Sequence, residues 1–192
     1  NAHGYKDWTK RDYKITIKKF YKWFKGNNEE YPEEVKWIKT TMRKNNHKLP
    51  EDLLTEEEIS MLIDNCKNLR DKALIAFLYE SGCRIGELLA LNIKHMQFDK
   101  YGAKVTIPSG KTGSRRIRII SSTPHISFWI EVHPSRDNRE APLWVGFGST
   151  NKDIALEYAA VRKMLQVVAK RAGVNKSVNP HNFRHSRATF LA

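Results

Sequence analysis

The residues best suited to chemistry in this 192-residue chain lie in its last stretch, 179–189. Asn179 followed by Pro180 is typical of a helix start, because an Asn side chain caps free backbone N–H groups and proline has no N–H that needs a partner there. His181 and Arg184 then stand three residues apart, on one face of the first turn. An imidazole and a permanent guanidinium charge at the positive end of a helix favour an anion site suited to phosphate.

Two other basic residues stand where local structure is predicted to change. A helical pattern over 70–80 is broken at Gly82, and Arg84 begins the next helix, with Glu87 three residues later and able to hold it by an ion pair. Lys111 lies in the tip of a predicted β-hairpin, within PSGKTG. A lysine at such a tip is usually solvated, but it can also reach into a DNA groove.

The elements that must position these residues follow from hydrophobic spacing. Residues alternate in polarity at Val105 and Ile107 before the tip and at Ile117 and Ile119 after it, which predicts an antiparallel hairpin. Thr55 and Glu58 form a capping box that begins a helix. The chain is therefore predicted to be mainly α with a small antiparallel β-sheet, an α+β fold. Spacing of 3.6 residues predicts further helices over 8–25, 32–42, 128–133 and 153–172, with a short strand at 143–145.

The basic, proline-terminated stretch 44–50 reads as a linker. We therefore predict two domains, 1–47 and 50–192. The two helices of the first cannot make a self-sufficient core. Their tryptophans, Trp8, Trp23 and Trp37, are predicted to be core residues rather than base-stacking platforms. The lysines interleaved with these aromatic residues are predicted phosphate contacts: Lys18, Lys19 and Lys22.

Charge is the strongest signal of the whole chain. The formal net charge is +13, and residues 1–50 alone hold 13 Lys and Arg against 6 Asp and Glu. Such a chain most often binds a polyanion, and nucleic acid is the default. No apolar run approaches the length of a membrane span, and nothing resembles a signal peptide. Cys66 and Cys83 give neither a disulfide framework nor metal-ligand spacing, which favours a reducing intracellular setting.

Three stretches occur together in an order that resembles the tyrosine recombinases, the family that includes phage integrases and the recombinases that resolve chromosome dimers. SGCRIGELLAL resembles the first arginine box of that family, GKTGSRRIRII its lysine-bearing hairpin, and HNFRHSRAT its second arginine box. The LTEEEI helix and the PLWV strand also fall where the family has them. The resemblance implies a recombinase catalytic domain over 50–192, and the last part of a helical core-binding domain over 1–47.

The resemblance also implies roles. The family cleaves one DNA strand by tyrosine attack on a phosphodiester, forming a 3′-phosphotyrosine. Arg84 and Arg184 then correspond to the arginines that bind the non-bridging oxygens, a role that planar, permanently charged guanidinium groups suit. Lys111 corresponds to the general acid for the leaving 5′-oxygen, His181 to the histidine beside the attacking tyrosine, and Glu87 to the acid that orients the first arginine. No metal or other cofactor is implied.

The chain departs from the family in one respect. In the family, the nucleophilic tyrosine follows the second arginine box, whereas all seven tyrosines of this chain precede Arg184. We therefore expect a fragment that binds double-stranded DNA and holds a phosphate without cleaving it. The complete protein is expected to assemble as a synaptic tetramer on DNA and to act in the cytoplasm at the nucleoid. The fragment is expected to be monomeric without DNA.

Several alternatives stay open at this point. Arg115 and Arg116 in the hairpin strand face either DNA or solvent, with equal weight for each. His181 and His185 have the spacing of a zinc pair, but no third ligand is evident, so a metal is disfavoured. The competing functional class is a non-catalytic DNA-binding module or a decayed recombinase with an accessory or regulatory role. A third is a nuclease or topoisomerase relative that works on one duplex without strand exchange.

Overall fold

A computed structural model describes residues 4–26, 29–41, 50–110, 113–147 and 153–192 of the chain. The chain folds as two compact units, residues 1–47 and residues 48–192. Each is described by itself below. The identity of the first unit as the end of a core-binding domain stays a prediction.

The first unit contains helix α1 (Asp7–Phe24) and the single-turn helix α2 (Glu33–Lys36). The predicted helix over 32–42 is therefore wrong for residues 37–41, and Met42 lies outside the described residues. The carbonyl oxygens that follow are satisfied by side chains of α1 instead: Lys18 Nζ donates to the oxygen of Ile38, and Arg11 Nε to that of Thr40. These contacts satisfy carbonyl oxygens of a segment that is not helical, where the periodicity predicted a helix.

Most aromatic residues of this unit are exposed, and Tyr21 is half-buried. Trp8 is 53% exposed, Trp23 75% and Trp37 76%, so the prediction that they are core residues is wrong. Among the described residues of the unit, only Val35 is buried. One long helix and one turn provide no second layer to cover an aromatic face, in keeping with the expectation that two helices make no core of their own.

The described residues of the second unit form six helices around one hydrophobic core. Helix α4 lies at its centre and buries Ala73–Leu78 in an unbroken run. It packs against α3, α6, α8 and the third strand. The bounds of the helices are α3 Glu56–Asp64, α4 Leu69–Ser81, α5 Ile85–Leu89, α6 Thr123–Glu131, α7 Tyr158–Ala172 and α8 Pro180–Phe190, with 3-10 turns at Pro50–Asp52 and Ile93–His95.

The sheet has three antiparallel strands in the order β1-β2-β3, with bounds Met96–Asp99, Gly102–Gly110 and Gly113–Ile119. The predicted hairpin is formed by β2 and β3, and β1 adds a strand that the sequence pattern did not separate from it. Gly102 turns between β1 and β2 with φ of +121°, and a Cβ there would lie 2.3 Å from the carbonyl oxygen of Ile119. Only glycine fits this position without displacing backbone.

Three other element predictions need correction. Helix α6 begins at Thr123 instead of 128, with a proline in its first turn, where proline is favoured. Helix α7 begins at Tyr158 instead of 153, because Asp153 adopts a left-handed φ of +65° and Ala155 bridges to Val145. Residues 143–145, predicted as a short apolar strand or edge, are buried but form no regular strand: of the three, only Val145 pairs, in an isolated bridge with Ala155. The fold class, mainly α with a small antiparallel sheet, is confirmed.

None of the helices in the described ranges combines the length and the apolar character needed to cross a bilayer.

Candidate phosphate-binding site

Arg84 stands at the N-cap of α5, where Glu87 holds both its backbone and its side chain. The backbone N–H of Arg84 donates to Glu87 Oε2 at 2.9 Å, and Arg84 Nη1 donates to Oε1 at 3.1 Å. The Glu87 side chain is only 5% exposed, whereas that of Arg84 is 42% exposed. The predicted i, i+3 ion pair is thus present. It leaves much of the Arg84 guanidinium open to a ligand.

Arg115 on β3 makes a second, two-pronged contact with the same carboxylate. Its Nη1 donates to Glu87 Oε1 at 3.0 Å and its Nη2 to Oε2 at 2.8 Å. Hydrogen bonds from Arg115, together with those from Arg84, lower the pKa of Glu87 to about 2 against the opposing effect of burial. Glu87 is therefore a permanent anion at neutral pH. No pattern in the sequence predicted the ion pair between Arg115 and Glu87.

Helix α8 begins as the sequence predicts. Asn179 caps it, with its Oδ1 accepting from the backbone N–H of Asn182 at 3.0 Å, and Pro180 follows in the first turn. Ser186 fixes the helix to the start of α3, since its Oγ accepts from the backbone N–H of Leu54 at 2.8 Å. The helix is therefore held against the core at both its first and its second turn.

Arg184 faces the segment that leads to Arg84. Its Nη1 donates to the carbonyl oxygen of Gly82, two residues before Arg84. Gly82 is the left-handed C-cap of α4, with φ of +53°. This turn directs its carbonyl oxygen to α8. The structure thereby brings a residue of the second arginine box into contact with the first, and their shared phosphate role stays a prediction.

His181 is exposed in the first turn of α8, and it contacts a second histidine one turn later. The Nε2 atoms of His181 and His185 are 2.8 Å apart. Among the described residues, no group of three or more His, Cys, Asp or Glu side chains is placed to hold a metal ion. The pair is thus a hydrogen-bonded contact within one helix, and His185 has a further interaction of its own.

Lys111 lies outside the described residues, between the end of β2 at Gly110 and the start of β3 at Gly113. Its predicted role as a general acid stays a prediction.

The side chains predicted to contact DNA differ in their exposure and in their contacts within the protein. Lys18 Nζ lies 4.3 Å from the centre of the Tyr31 ring, and Lys22 Nζ lies 5.3 Å from it, so both amines are partly engaged within their unit. Lys19 and Arg116 are exposed. Their contact with DNA stays a prediction.

The fold and the site together define a recombinase-type catalytic domain: two arginine-bearing helix starts, linked by the hydrogen bond from Arg184 to Gly82, in a unit that also holds the β-hairpin. The chain belongs to the phage integrase family, whose model matches residues 52–192.

Curated relatives of the chain are tyrosine recombinases. It is 32% identical over 149 residues to tyrosine recombinase XerA of Pyrococcus horikoshii, covering 76% of this chain and 50% of that protein. It is 32% identical over 181 residues to XerA of Pyrococcus furiosus, covering 91% of this chain and 57% of the relative. With XerD of Bifidobacterium longum the identity is 27% over 154 residues. The chain spans about half the length of the curated relatives it matches.

Solved structures share the fold at lower identity. A post-cleavage complex of XerH recombinase with palindromic difH substrate matches with a TM-score of 0.73 and 23% identity, covering 98% of this chain and 57% of that one. The Tn1549 transposon integrase in complex with circular intermediate DNA matches with a TM-score of 0.71 and 17% identity, covering 98% and 67%. The fold of the chain is therefore that of the tyrosine recombinases.

Proposed function

We propose that this chain supplies the DNA-binding and phosphate-binding part of a tyrosine recombinase that cleaves and rejoins DNA at specific sites through a 3′-phosphotyrosine. The observation that carries the proposal is the hydrogen bond from Arg184 to the carbonyl of Gly82. This hydrogen bond holds Arg184 beside the turn that leads to Arg84. The position of Arg84 is in turn fixed by the buried carboxylate of Glu87. A DNA-binding module without catalysis has no need for such an arrangement.

The chemistry follows from the charges. Attack on a phosphodiester concentrates negative charge on the two non-bridging oxygens, and fixed guanidinium groups stabilise that charge without reorganising. Arg84 and Arg184 serve this role, Lys111 protonates the leaving 5′-oxygen, and His181 acts at the attacking tyrosine. The resemblance places that tyrosine after the second arginine box. No residue of this chain is assigned as the nucleophile.

The partner is double-stranded DNA. The excess of positive charge in residues 1–50 and the free amine of Lys19 support contacts to phosphates by the first unit, together with Lys18 and Lys22. The exposed side chain of Arg116 supports a contact from the hairpin. The whole protein works as a synaptic tetramer, because strand exchange needs two duplexes, and it acts in the cytoplasm at the nucleoid.

The test restores a nucleophile. The segment of the Pyrococcus horikoshii relative that follows its second arginine box is fused after residue 192. The fusion is incubated with nicked duplexes of randomised sequence, which trap a cleaved strand. We expect a protein–DNA adduct that survives denaturant, and its loss in Arg84→Ala and Arg184→Ala variants that still bind duplex. Arg136→Ala is the matched control, since Arg136 is an exposed arginine whose side chain contacts Asp137 and the carbonyl oxygen of Glu131 and no residue of the proposed site among the described residues.

The outcomes separate the two functional classes. For a binding module, Arg84→Ala weakens duplex affinity and lowers the salt slope by about one, as for any phosphate contact, and no adduct forms in any variant. A fusion that binds duplex as tightly as the unmodified chain and yet forms no adduct contradicts the proposal. So does an adduct that persists when Arg84 and Arg184 are both replaced.

A further inference from the structure

The three arginines of β3 do not share one face of the strand. Side chains alternate along a strand, so Arg115 points to the same side as Ile117 and Ile119, while Arg116 and Arg118 point to the other. Burial follows this alternation: Ile119 is fully buried, and Arg115 is partly buried above it. Arg115 is thus an inward-facing arginine. Its guanidinium ends on Glu87 of α5.

The carboxylate of Glu87 has no acceptor position to spare. Two carboxylate oxygens offer about four lone-pair sites. Oε1 accepts from the guanidinium groups of Arg84 and Arg115, and Oε2 accepts from the backbone of Arg84 and from Arg115. Arg115 occupies two of the four, so it fixes where the carboxylate lies and thereby where Arg84 is held.

Charge gives Arg115 a second effect on the same site. Arg84 and Glu87 alone form a neutral pair, which attracts an anion weakly. With Arg115 bonded to the same carboxylate, the group of three carries one net positive charge, and the exposed part of Arg84 presents it to solvent.

We propose that Arg115 is a positioning residue of the phosphate site. It orients the Glu87 carboxylate that holds Arg84, and it balances the negative charge of Glu87, so that the positive charge of Arg84 remains available to the DNA phosphate. It acts through Glu87 and does not itself touch the phosphate. It also attaches β3, the strand that follows Lys111, to the start of the Arg84 helix. This inference rests on the proposed function, because it assumes that Arg84 binds phosphate.

The chain supplies a matched control for its test. Arg118 lies on the same strand, is 34% exposed like Arg115, and makes the same two-pronged contact with a carboxylate, that of Asp99, with both distances at 2.8 Å. Asp99 has no contact with Arg84 among the described residues. Arg115→Gln and Arg118→Gln therefore each remove one forked ion pair, but only Arg115→Gln removes a partner of Glu87, the carboxylate that holds Arg84.

The experiment follows the arginine Nε–H signals of the 192-residue chain by NMR, with dimethyl phosphate as the probe. In Arg115→Gln we expect the Arg84 signal to move before any ligand is added. We also expect affinity for the probe to fall on the order of tenfold, as for removal of one charge from a partly exposed cluster. Arg118→Gln leaves both unchanged. Adding Glu87→Gln to Arg115→Gln restores the net charge but removes the carboxylate that holds Arg84, so we expect only part of the affinity to return.

Other outcomes overturn the inference. If Arg115→Gln matches Arg118→Gln in both readouts, Arg115 does not position Arg84. If the Arg115 signal itself responds to the probe while Arg84 is unaffected by its removal, Arg115 is a direct phosphate contact. If the unsubstituted chain binds the probe and Arg115→Gln binds it equally, this inference alone fails. If the unsubstituted chain shows no saturable change at Arg84 or Arg184, the proposed phosphate site fails and this inference with it.

Discussion

Arg184 of helix α8 donates a hydrogen bond to the main-chain carbonyl of Gly82, so a side chain of the proposed phosphate site is positioned by the left-handed turn that ends another helix. The same turn contacts the next turn of α8, because a Cβ on Gly82 would lie 3.6 Å from Arg187 Cγ. The geometry of the site therefore depends on a backbone conformation as much as on the arginines themselves.

Gly82→Ala is expected to affect both stability and the site. A left-handed φ costs a residue with a Cβ about 1 kcal/mol, and relaxation of the turn moves the carbonyl that Arg184 uses. We expect the free energy of unfolding in urea to fall by that amount and affinity for dimethyl phosphate to fall as well. Gly173→Ala is the control, since Gly173 ends α7 at φ of +70° with open space around its Cβ position. Equal phosphate affinity in the two variants would contradict the prediction.

The carboxylate of Glu87 is expected to make stability depend on acid pH. Its pKa is lowered from 4.5 to about 2, so its contribution is complete above pH 4.5 and is lost as the pH falls towards 2. Over that window we expect about 2–3 kcal/mol of stability to disappear, and Glu87→Gln to remove this part of the slope. Urea unfolding at a series of pH values measures it.

Asp99→Asn is the control for this measurement. Asp99 is also held by one forked arginine, and its pKa is also lowered to about 2, but it lies at the surface. Its removal is expected to change the acid slope much less than that of Glu87, because solvent screens an exposed pair. A larger effect from Asp99→Asn would show that the acid dependence does not arise at the site.

Ser186→Ala tests how α8 is attached to α3. The serine hydroxyl is buried, accepts from the N–H of Leu54 at 2.8 Å and donates to the carbonyl of Asn182 at 2.9 Å. Without it, a buried N–H loses its partner, at a cost of about 1–3 kcal/mol. Chemical denaturation of the variant checks this. Ser186→Thr, which keeps the hydroxyl, should recover part of the loss, whereas equal loss in both variants would indicate a packing effect.

Lys19 provides a test of DNA contact by the first unit. Its amine is exposed, so Lys19→Gln is expected to weaken duplex binding and to lower the slope of log affinity against log salt by about one. Lys36→Gln is the control, because Lys36 is paired with Glu33 at 2.9 Å. Titrations at several salt concentrations measure both. Identical slopes for Lys19→Gln and the unsubstituted chain would exclude this phosphate contact.

Local signals predicted most of the elements that carry the site. The caps at Thr55 and Asn179 form as expected, because the residues that satisfy the free N–H groups lie within three positions in the sequence. The alternation around Val105 and Ile117 predicted the hairpin, and those residues are paired in register. Such features need no knowledge of distant contacts.

What the sequence did not predict depends on residues far apart in the chain. Arg115 meets Glu87 across 28 residues, and no local pattern indicates which acid an arginine will reach. The alternation of side chains along a strand places Arg115 on the same face as Ile117, the inward face. This was the one signal in the sequence that could have indicated an inward-facing arginine. The exposure of Trp23 and Trp37 was missed for a related reason: an apolar face shows that a surface can be buried, but not that anything covers it.

Cys83 lies in the sequence between Gly82, whose carbonyl accepts the hydrogen bond from Arg184, and Arg84. Its side chain is almost fully buried. Burial raises the pKa of its thiol to about 11, so at neutral pH it is a protonated thiol shielded from reagents. Its alkylation therefore requires this segment to open. The rate at which a thiol reagent labels Cys83 therefore reports how often the segment around the proposed phosphate site opens.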